Sequence, residues 1–351
     1  MIEIASQLNP FCLSSFLALR YVARETAEWV PGLRPRWPRS GSEHQVEVLD
    51  AGQILDALRA QVARVATGPQ IGLLLSGGMD SAILAALLPR GASAYTVRFD
   101  AEKSVDESVA AAAIARRCGL DHHVVTVSWD DYQSHMDELM RHKRSPLHPV
   151  EVGLFLAASA AAADGVPTLI VGNGADSNFG GLDRLLSRDW TLDEFIRRYT
   201  FLEPSAALQN PVPMRPIFAE YDRAGSFDTD GFLKKVHGRG IIQAFNNAIQ
   251  AAGSTSLEPY ESLKLGVPLD LARIRRGEPK YLLQEVYHQL YPGIAVNEKI
   301  AFARPMDCWM NSWDGPRREE FRTDIDMGRL TGEQKWLLYC LERFLNLLEA
   351  G

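Results

Sequence analysis

The sequence predicts an α/β protein, a parallel sheet flanked by helices, with a mainly helical C-terminal half. Three observations carry this. Four short apolar runs, at 71–75, 94–99, 123–127 and 168–171, alternate with helical patterns, as parallel strands joined by crossover helices do. Glycine-rich turns follow the first and last of these runs, and ligands of such sheets sit beyond the C-terminal strand ends. Beyond Asp189 the strand signal fades and apolar residues recur at helical spacing.

In order, residues 1–50 form a short N-terminal segment ahead of a main domain at 51–351. Pro31, Pro35 and Pro38 with Gly32 and Gly41 interrupt regular structure there, leaving a short helix at 14–23 and then irregular or edge structure. Ile54, Leu55, Leu58, Val62 and Val65 mark a helix that Gly68-Pro69 stops. Ile71-Gly72-Leu73-Leu74-Leu75 suits a buried parallel strand. A helix at 81–88, a strand at 94–99 and an Ala-rich helix at 107–118, stopped by Gly119, come next. A strand at 123–127, helices at 132–141 and 151–163, and a strand at 168–171 complete the alternation. The second half reads as helices at 192–199, 232–252, 280–290 and 333–349, with no internal repeat.

Composition narrows the function classes. The chain has 351 residues, 46% hydrophobic and 23% charged, enough to bury a sizeable core. Its net charge of -7 opposes a nucleic-acid partner, whose phosphates call for Lys and Arg. The four cysteines, Cys12, Cys118, Cys308 and Cys340, are far apart and form no CxxC pair, so neither a zinc site nor a disulfide framework is predicted. The first residues show no secretory-leader pattern, so none is expected, and no run approaches the roughly 20 apolar residues of a membrane span. A cytoplasmic protein with no membrane partner is expected.

The first glycine-rich turn reads Ser76-Gly77-Gly78-Met79-Asp80-Ser81. Two glycines let the backbone turn tightly against a ligand, and its N–H groups and hydroxyls can surround an anion. Asp80 suits Mg2+, which takes a few carboxylates plus phosphate oxygens. The turn contains no lysine, unlike the Gly-Lys-Ser phosphate loop. It resembles the SGGxDS signature of the PP-loop ATP pyrophosphatases, adenine nucleotide alpha hydrolase-like enzymes that split ATP between the α and β phosphates. NAD synthetases, GMP synthetases, tRNA-thiolating enzymes, lysidine synthases and asparagine synthetases all carry a version of it.

The second turn, Gly172-Asn173-Gly174-Ala175-Asp176-Ser177-Asn178-Phe179-Gly180-Gly181, resembles the GEGADExFGGY segment of class B asparagine synthetases. Tyr95-Thr96-Val97-Arg98-Phe99, Asp121-His122-His123, Lys280-Tyr281-Leu282-Leu283 and the stretch Glu298-Lys299-Ile300-Ala301-Phe302 through Trp309 resemble further segments of that family, in the same order. The resemblance implies an ATP-dependent carbon–nitrogen ligase that adenylates a carboxylate and passes it to ammonia or an amine, as in the beta-lactam synthetases that share the domain. It implies ATP and Mg2+ as cofactors, with Ser76, Gly77, Gly78, Asp80 and Ser81 on the pyrophosphate part. Leu74, Val97 and Gly172 would meet the adenosine, Asp80 and Asp176 would hold Mg2+, and Lys299 would be the catalytic lysine that neutralises phosphate charge in the transition state.

Two departures bear on the reaction. Residue 2 is Ile2 rather than the N-terminal cysteine of a glutaminase, so no glutamine hydrolysis is expected, and ammonia or an amine would come from solution or from a separate ammonia-supplying or substrate-carrying protein. The loop has Asn173 and Ser177 where the synthetases have glutamates, and an amide cannot take up a proton at neutral pH. Glu151, Asp183 and Glu258 are the candidate replacement bases. Arg184, Arg188 and Arg304 are candidates to pair with the carboxylate substrate, each with an equal claim to a structural role. His122 and His123 read as structural. A non-catalytic synthetase-fold subunit and a tRNA-modifying PP-loop enzyme are the alternatives: the lost glutamates favour the first, whereas the net charge and scattered cysteines oppose the second.

Overall fold

The computed structural model describes residues 7–37, 45–65, 70–102, 104–296 and 304–350. The expected breaks at Pro38, Gly41, Gly68 and Pro69 lie outside the described residues. The first half runs α1 (Pro10–Leu19), β1 (Val46–Val48), α2 (Ala51–Val65), β2 (Ile71–Leu74), α3 (Met79–Ala85), β3 (Ser93–Phe99) and α4 (Ser108–Cys118). It continues with β4 (Asp121–Val127), α5 (Trp129–Lys143), α6 (Glu151–Ala163) and β5 (Thr168–Ile170). Asn9 caps α1 by accepting from Phe11 N, with Pro10 at the first helical position. Ser128 and Asp131 cap α5 reciprocally.

The second half holds the short helices α7 (Ala175–Asn178) and α8 (Asp183–Leu186), then α9 (Leu192–Tyr199) and α10 (Arg215–Ala219). A two-residue hairpin, β6 (Asp222–Arg223) and β7 (Ser226–Phe227), leads to α11 (Thr229–Phe232). A π-helical stretch, Leu233–His237, joins this to α12 (Gly238–Ala251). Then come β8 (Thr255–Leu257), β9 (Leu263–Leu265), α13 (Leu271–Arg275), α14 (Tyr281–Leu290), α15 (Met306–Trp309) and α16 (Gly332–Ala350).

The main sheet has five strands in the order β4-β3-β2-β5-β8, and every neighbouring pair is parallel. The fold class is the predicted one, with one correction. The half expected to be helical supplies β8, which continues the sheet by pairing Thr168 with Thr255 and Ile170 with Leu257, and β9, which pairs in parallel with β1. Three residues are too few for alternation to show; these strands form because β5 and β1 offer them partners.

The N-terminal segment is part of the core. Phe16, Leu17 and Trp29 are completely buried in one cluster with Trp336, Leu341 and Phe344 of α16, and the Trp29 and Phe344 rings meet edge-on at 4.9 Å. Each such side chain contributes about 1.5–3 kcal/mol. α6 is buried on nearly all sides, as expected of a helix apolar all round. All four cysteines are free. Among the described residues no helix is long and apolar enough to cross a membrane.

Candidate active site

The turn after β2 is tied by one hydroxyl. Ser81 Oγ accepts from Ser76 N at 3.2 Å, lies 2.9 Å from Ser76 Oγ, and is 3.0 and 3.1 Å from the carbonyls of Ser76 and Gly78. Gly77 lies against α4, where a Cβ would come 2.7 Å from Ala110 Cβ; only glycine allows that approach. The second half clamps the turn from outside: the Tyr260 hydroxyl donates to Asp80 O at 2.9 Å and that of Tyr291 to Ala82 O at 2.6 Å.

After β5 the chain turns at Gly174, whose φ of +90° suits glycine, and α7 carries Asp176 toward Asp80. Between them stands Lys280, at the N-cap of α14 and itself in a left-handed conformation with φ 52°. Its ammonium pairs with Asp80 Oδ2 and lies 2.7 Å from Asp176 Oδ1. Burial works against the charge of Lys280, but the two carboxylates outweigh it and push the ammonium up to about 12.

Both turns open on one cleft of about 660 Å³. Of the predicted residues, Leu74, Ser76, Gly78, Asp80, Ser81, Val97, Gly172 and Asp176 line it, whereas Gly77 of the first turn does not. Lys299 lies outside the described residues, as do Glu298, Ile300, Ala301 and Phe302; Val296 and Arg304 on either side of that stretch both line the cleft. Among the described residues no group of three or more His, Cys, Asp or Glu could hold a metal. Two carboxylates sharing one ammonium nevertheless fit Mg2+, which binds through one or two carboxylates and completes its shell with phosphate oxygens and water.

Asn173 lines the cleft, 8% exposed. Its amide nitrogen makes no hydrogen bond but lies close enough to Glu258 to favour the carboxylate form. Burial pushes Glu258 up to about 7, against the amides of Asn173 and Asn246 and the Ser256 hydroxyl; Asn246 Nδ2 donates to it at 2.8 Å. Glu258 is not among the residues lining the cleft, whereas Glu261, which no sequence argument singled out, lines it, and burial with Glu258 nearby pushes it up to about 7. Glu151 is removed as a candidate base. It is fully buried, paired with Lys143 at 2.5 Å, and accepts from His148 N at 2.6 Å and Asn247 Nδ2 at 2.6 Å. Asp183 lines the cleft.

Of the three candidate arginines only Arg304 lines the cleft. Arg188 pairs with Glu194 and stacks over Trp190, and Arg184 is exposed at the surface. His122 bonds Thr96 Oγ1 at 2.8 Å and His123 stacks on Tyr95, structural roles as expected. Lys280 was legible only as a segment of family resemblance. Arg20 and His148 also line the cleft; neither was foreseen, since each comes from an element distant in sequence from both turns.

The chain is similar in sequence to several known proteins. Over 149 residues, 37% of this chain and 22% of the relative, the sequence is 30% identical to an amidase, chry2, of Gibberella zeae. Over 144 residues, 36% of this chain and 21% of the relative, it is 28% identical to the amidase chyE of Penicillium rubens. The chain thus spans about a fifth of the length of these curated relatives. Among solved structures, an NH3-dependent NAD synthetase from Campylobacter jejuni is 19% identical, covering 37% of this chain and 58% of that one at a TM-score of 0.24. The U34-tRNA thiolase NcsA from Methanococcus maripaludis is 13% identical, covering 71% and 82% at 0.27. The fold assignment rests on the sheet, not on these overlaps. The family model described as Asparagine synthase matches residues 53–250, more than half of the chain, and with both glycine-rich turns and all five strands of the sheet in place, the chain belongs to the asparagine synthase family.

Proposed function

We propose that the chain is an ATP-dependent, AMP-forming ligase that makes an amide. The carboxylate oxygen of an acid attacks the α-phosphorus of ATP and releases pyrophosphate; an amine or ammonia then attacks the acyl carbon of the acyl-AMP, AMP leaves, and the amine loses a proton. The observation that carries the reading is the convergence of Asp80 and Asp176, from the two turns, on the single ammonium of Lys280. An acidic pair beside a glycine-rich turn that carries two serine hydroxyls suits MgATP. Family membership supports the ligase class.

Each residue then has a task. Leu74, Val97 and Gly172 border the adenosine. Ser76 and Ser81, with the amides of Gly77 and Gly78, hold the phosphates. Asp80 and Asp176 would hold Mg2+, which supplies charge neutralisation on the phosphates. Lys280 offsets charge of the two carboxylates and adds a fixed positive charge where negative charge builds up. Lys299 is proposed as the second such cation; Val296 and Arg304, on either side of its stretch, border the cleft. Glu258, its carboxyl raised to about 7 beside Asn173, takes the proton from the amine, and no synthetase-type glutamate is then needed at position 173. A small-molecule acid and amine in specialised biosynthesis, in the cytoplasm, complete the proposal.

ATP–pyrophosphate exchange with Mg2+ across a panel of carboxylic and amino acids tests it. Exchange that depends on one acid and is lost in Asp80→Ala supports the reading. No exchange with any acid, together with no ATP binding by calorimetry, supports instead a non-catalytic subunit.

A further inference from the structure

A carboxylate outside the machinery assigned so far stands against the first turn. Because Gly77 has no side chain, α4 packs directly on the turn at Ala110. This close approach brings Glu107, at the N-cap of α4, to the wall of the cleft. Its side chain does not cap the helix. Asp106 Oδ1 accepts from Ser108 N at 2.8 Å instead, so capping does not explain an acid at position 107.

Glu107 is 7% exposed. Its Oε1 is buried without a hydrogen bond, and the group that meets its carboxylate is the Gly77 N–H. Burial raises its carboxyl above the usual range, the Gly77 N–H opposes that rise, and among the described residues no cation offsets the charge. The N-terminal end of α4 also favours an anion there. A buried carboxylate without a cation is a liability for the fold, and liabilities of this kind persist where function needs them. The Gly77 N–H is one of the groups assigned to the phosphates. Carboxylate and phosphate oxygens therefore compete for one donor and repel each other across it.

We propose that Glu107 expels pyrophosphate after adenylation. This rests on the adenylation reading above, in which the bond from the acid oxygen to the α-phosphorus forms and the bond from the α-phosphorus to the bridging oxygen breaks. The electron pair of the broken bond leaves on pyrophosphate, which thus gains negative charge while it still sits in the turn. Lys280 and Mg2+ favour its retention. Glu107 opposes it, and the repulsion grows with the charge on the product; at a partly buried site salt screens it little. ATP binds less tightly for the same reason, and in exchange release of the product does not limit turnover.

Calorimetric titration of magnesium pyrophosphate, MgATP and AMP into wild type, E107Q and the exposed control Glu102→Gln tests this without the acid substrate. Glutamine keeps the shape and an acceptor for the Gly77 N–H and removes the charge. E107Q is expected to bind magnesium pyrophosphate about tenfold or more tightly than wild type and the control, the effect of one like charge at short range. It should also bind MgATP more tightly, keep its AMP affinity, and show no fall in melting temperature. With an acid that supports exchange, KM for ATP and kcat should fall together. A purely structural role predicts the reverse, weaker pyrophosphate and ATP binding with a lower melting temperature. Unchanged or weaker pyrophosphate affinity in E107Q, or no pyrophosphate binding by either protein, overturns the inference; weaker affinity restored by excess Mn2+ would assign Glu107 to a cation instead. Tighter pyrophosphate binding by E107Q without exchange for any acid would sustain the repulsion by Glu107 and remove adenylation.

Discussion

The ammonium of Lys280 lies 2.7 Å from Asp176 Oδ1 while pairing with Asp80 as well, so one cation from the helical half joins the two turns of the sheet half. Lys280 is 5% exposed, and without it two carboxylates would face each other. Lys280→Ala is therefore expected to destabilise the fold by about 2 kcal/mol in urea denaturation, below the roughly 3–5 kcal/mol of a fully buried pair because Asp176 is 40% exposed. The same variant should bind Mn2+ without ATP more tightly than wild type, measured by electron paramagnetic resonance. Unchanged Mn2+ affinity would mean that the two carboxylates do not form a cation site.

Glu258 gives the site a pH signature. Its carboxyl is held at about 7 in the folded protein, against about 4.3 when exposed. The amine-transfer step should rise with pH through about 7, and Glu258→Gln should flatten that profile and lower kcat. The sign for stability is opposite: a raised carboxyl stabilises the fold below its unfolded value and loses that contribution as pH rises from about 4.5 through about 7. Glu258→Gln should reduce the fall in melting temperature over that window. A wild-type profile kept by the variant would remove Glu258 as the base.

Glu151 is predicted to be structural. Replacing it by Gln leaves Lys143 buried with no anion, which should cost about 3 kcal/mol or more, read as a lower urea midpoint. KM for ATP should stay at the wild-type value, whereas a large change in KM would return Glu151 to the site.

Gly77→Ala tests the close approach of the first turn to α4. A methyl there meets Ala110 at 2.7 Å, so the turn must shift or α4 must move, at about 1–3 kcal/mol. ATP affinity by calorimetry should fall about tenfold or more, since the N–H groups that face the phosphates move with the turn.

What was legible in the sequence was local. The run Ser76 to Ser81 holds its own bend, because Ser81 folds back on Ser76 and Gly78, and so its pattern survives as a motif. Asp176 was nameable because it stands in a recognisable loop, Glu258 only as an acid of the helical half. Lys280 joins carboxylates 200 and 104 residues earlier in the chain, and nothing in Gly277-Glu278-Pro279-Lys280 announces a buried ammonium. Arg20 ends a helix whose other residues point to core packing alone, and its left-handed backbone has no sequence signal. β8 depends on β5 for its hydrogen bonds, so Thr255 to Leu257, past the helix expected at 232–252, carry no strand signal of their own.

The central claim is that the acid is adenylated. It is tested most directly by turning over ATP with acids labelled with 18O in the carboxylate, and following the label by mass spectrometry. The mechanism predicts AMP carrying one 18O, with unlabelled pyrophosphate. ADP with 18O in inorganic phosphate would show attack at the γ-phosphorus instead, and would contradict the assignment of the first turn to the pyrophosphate part of ATP.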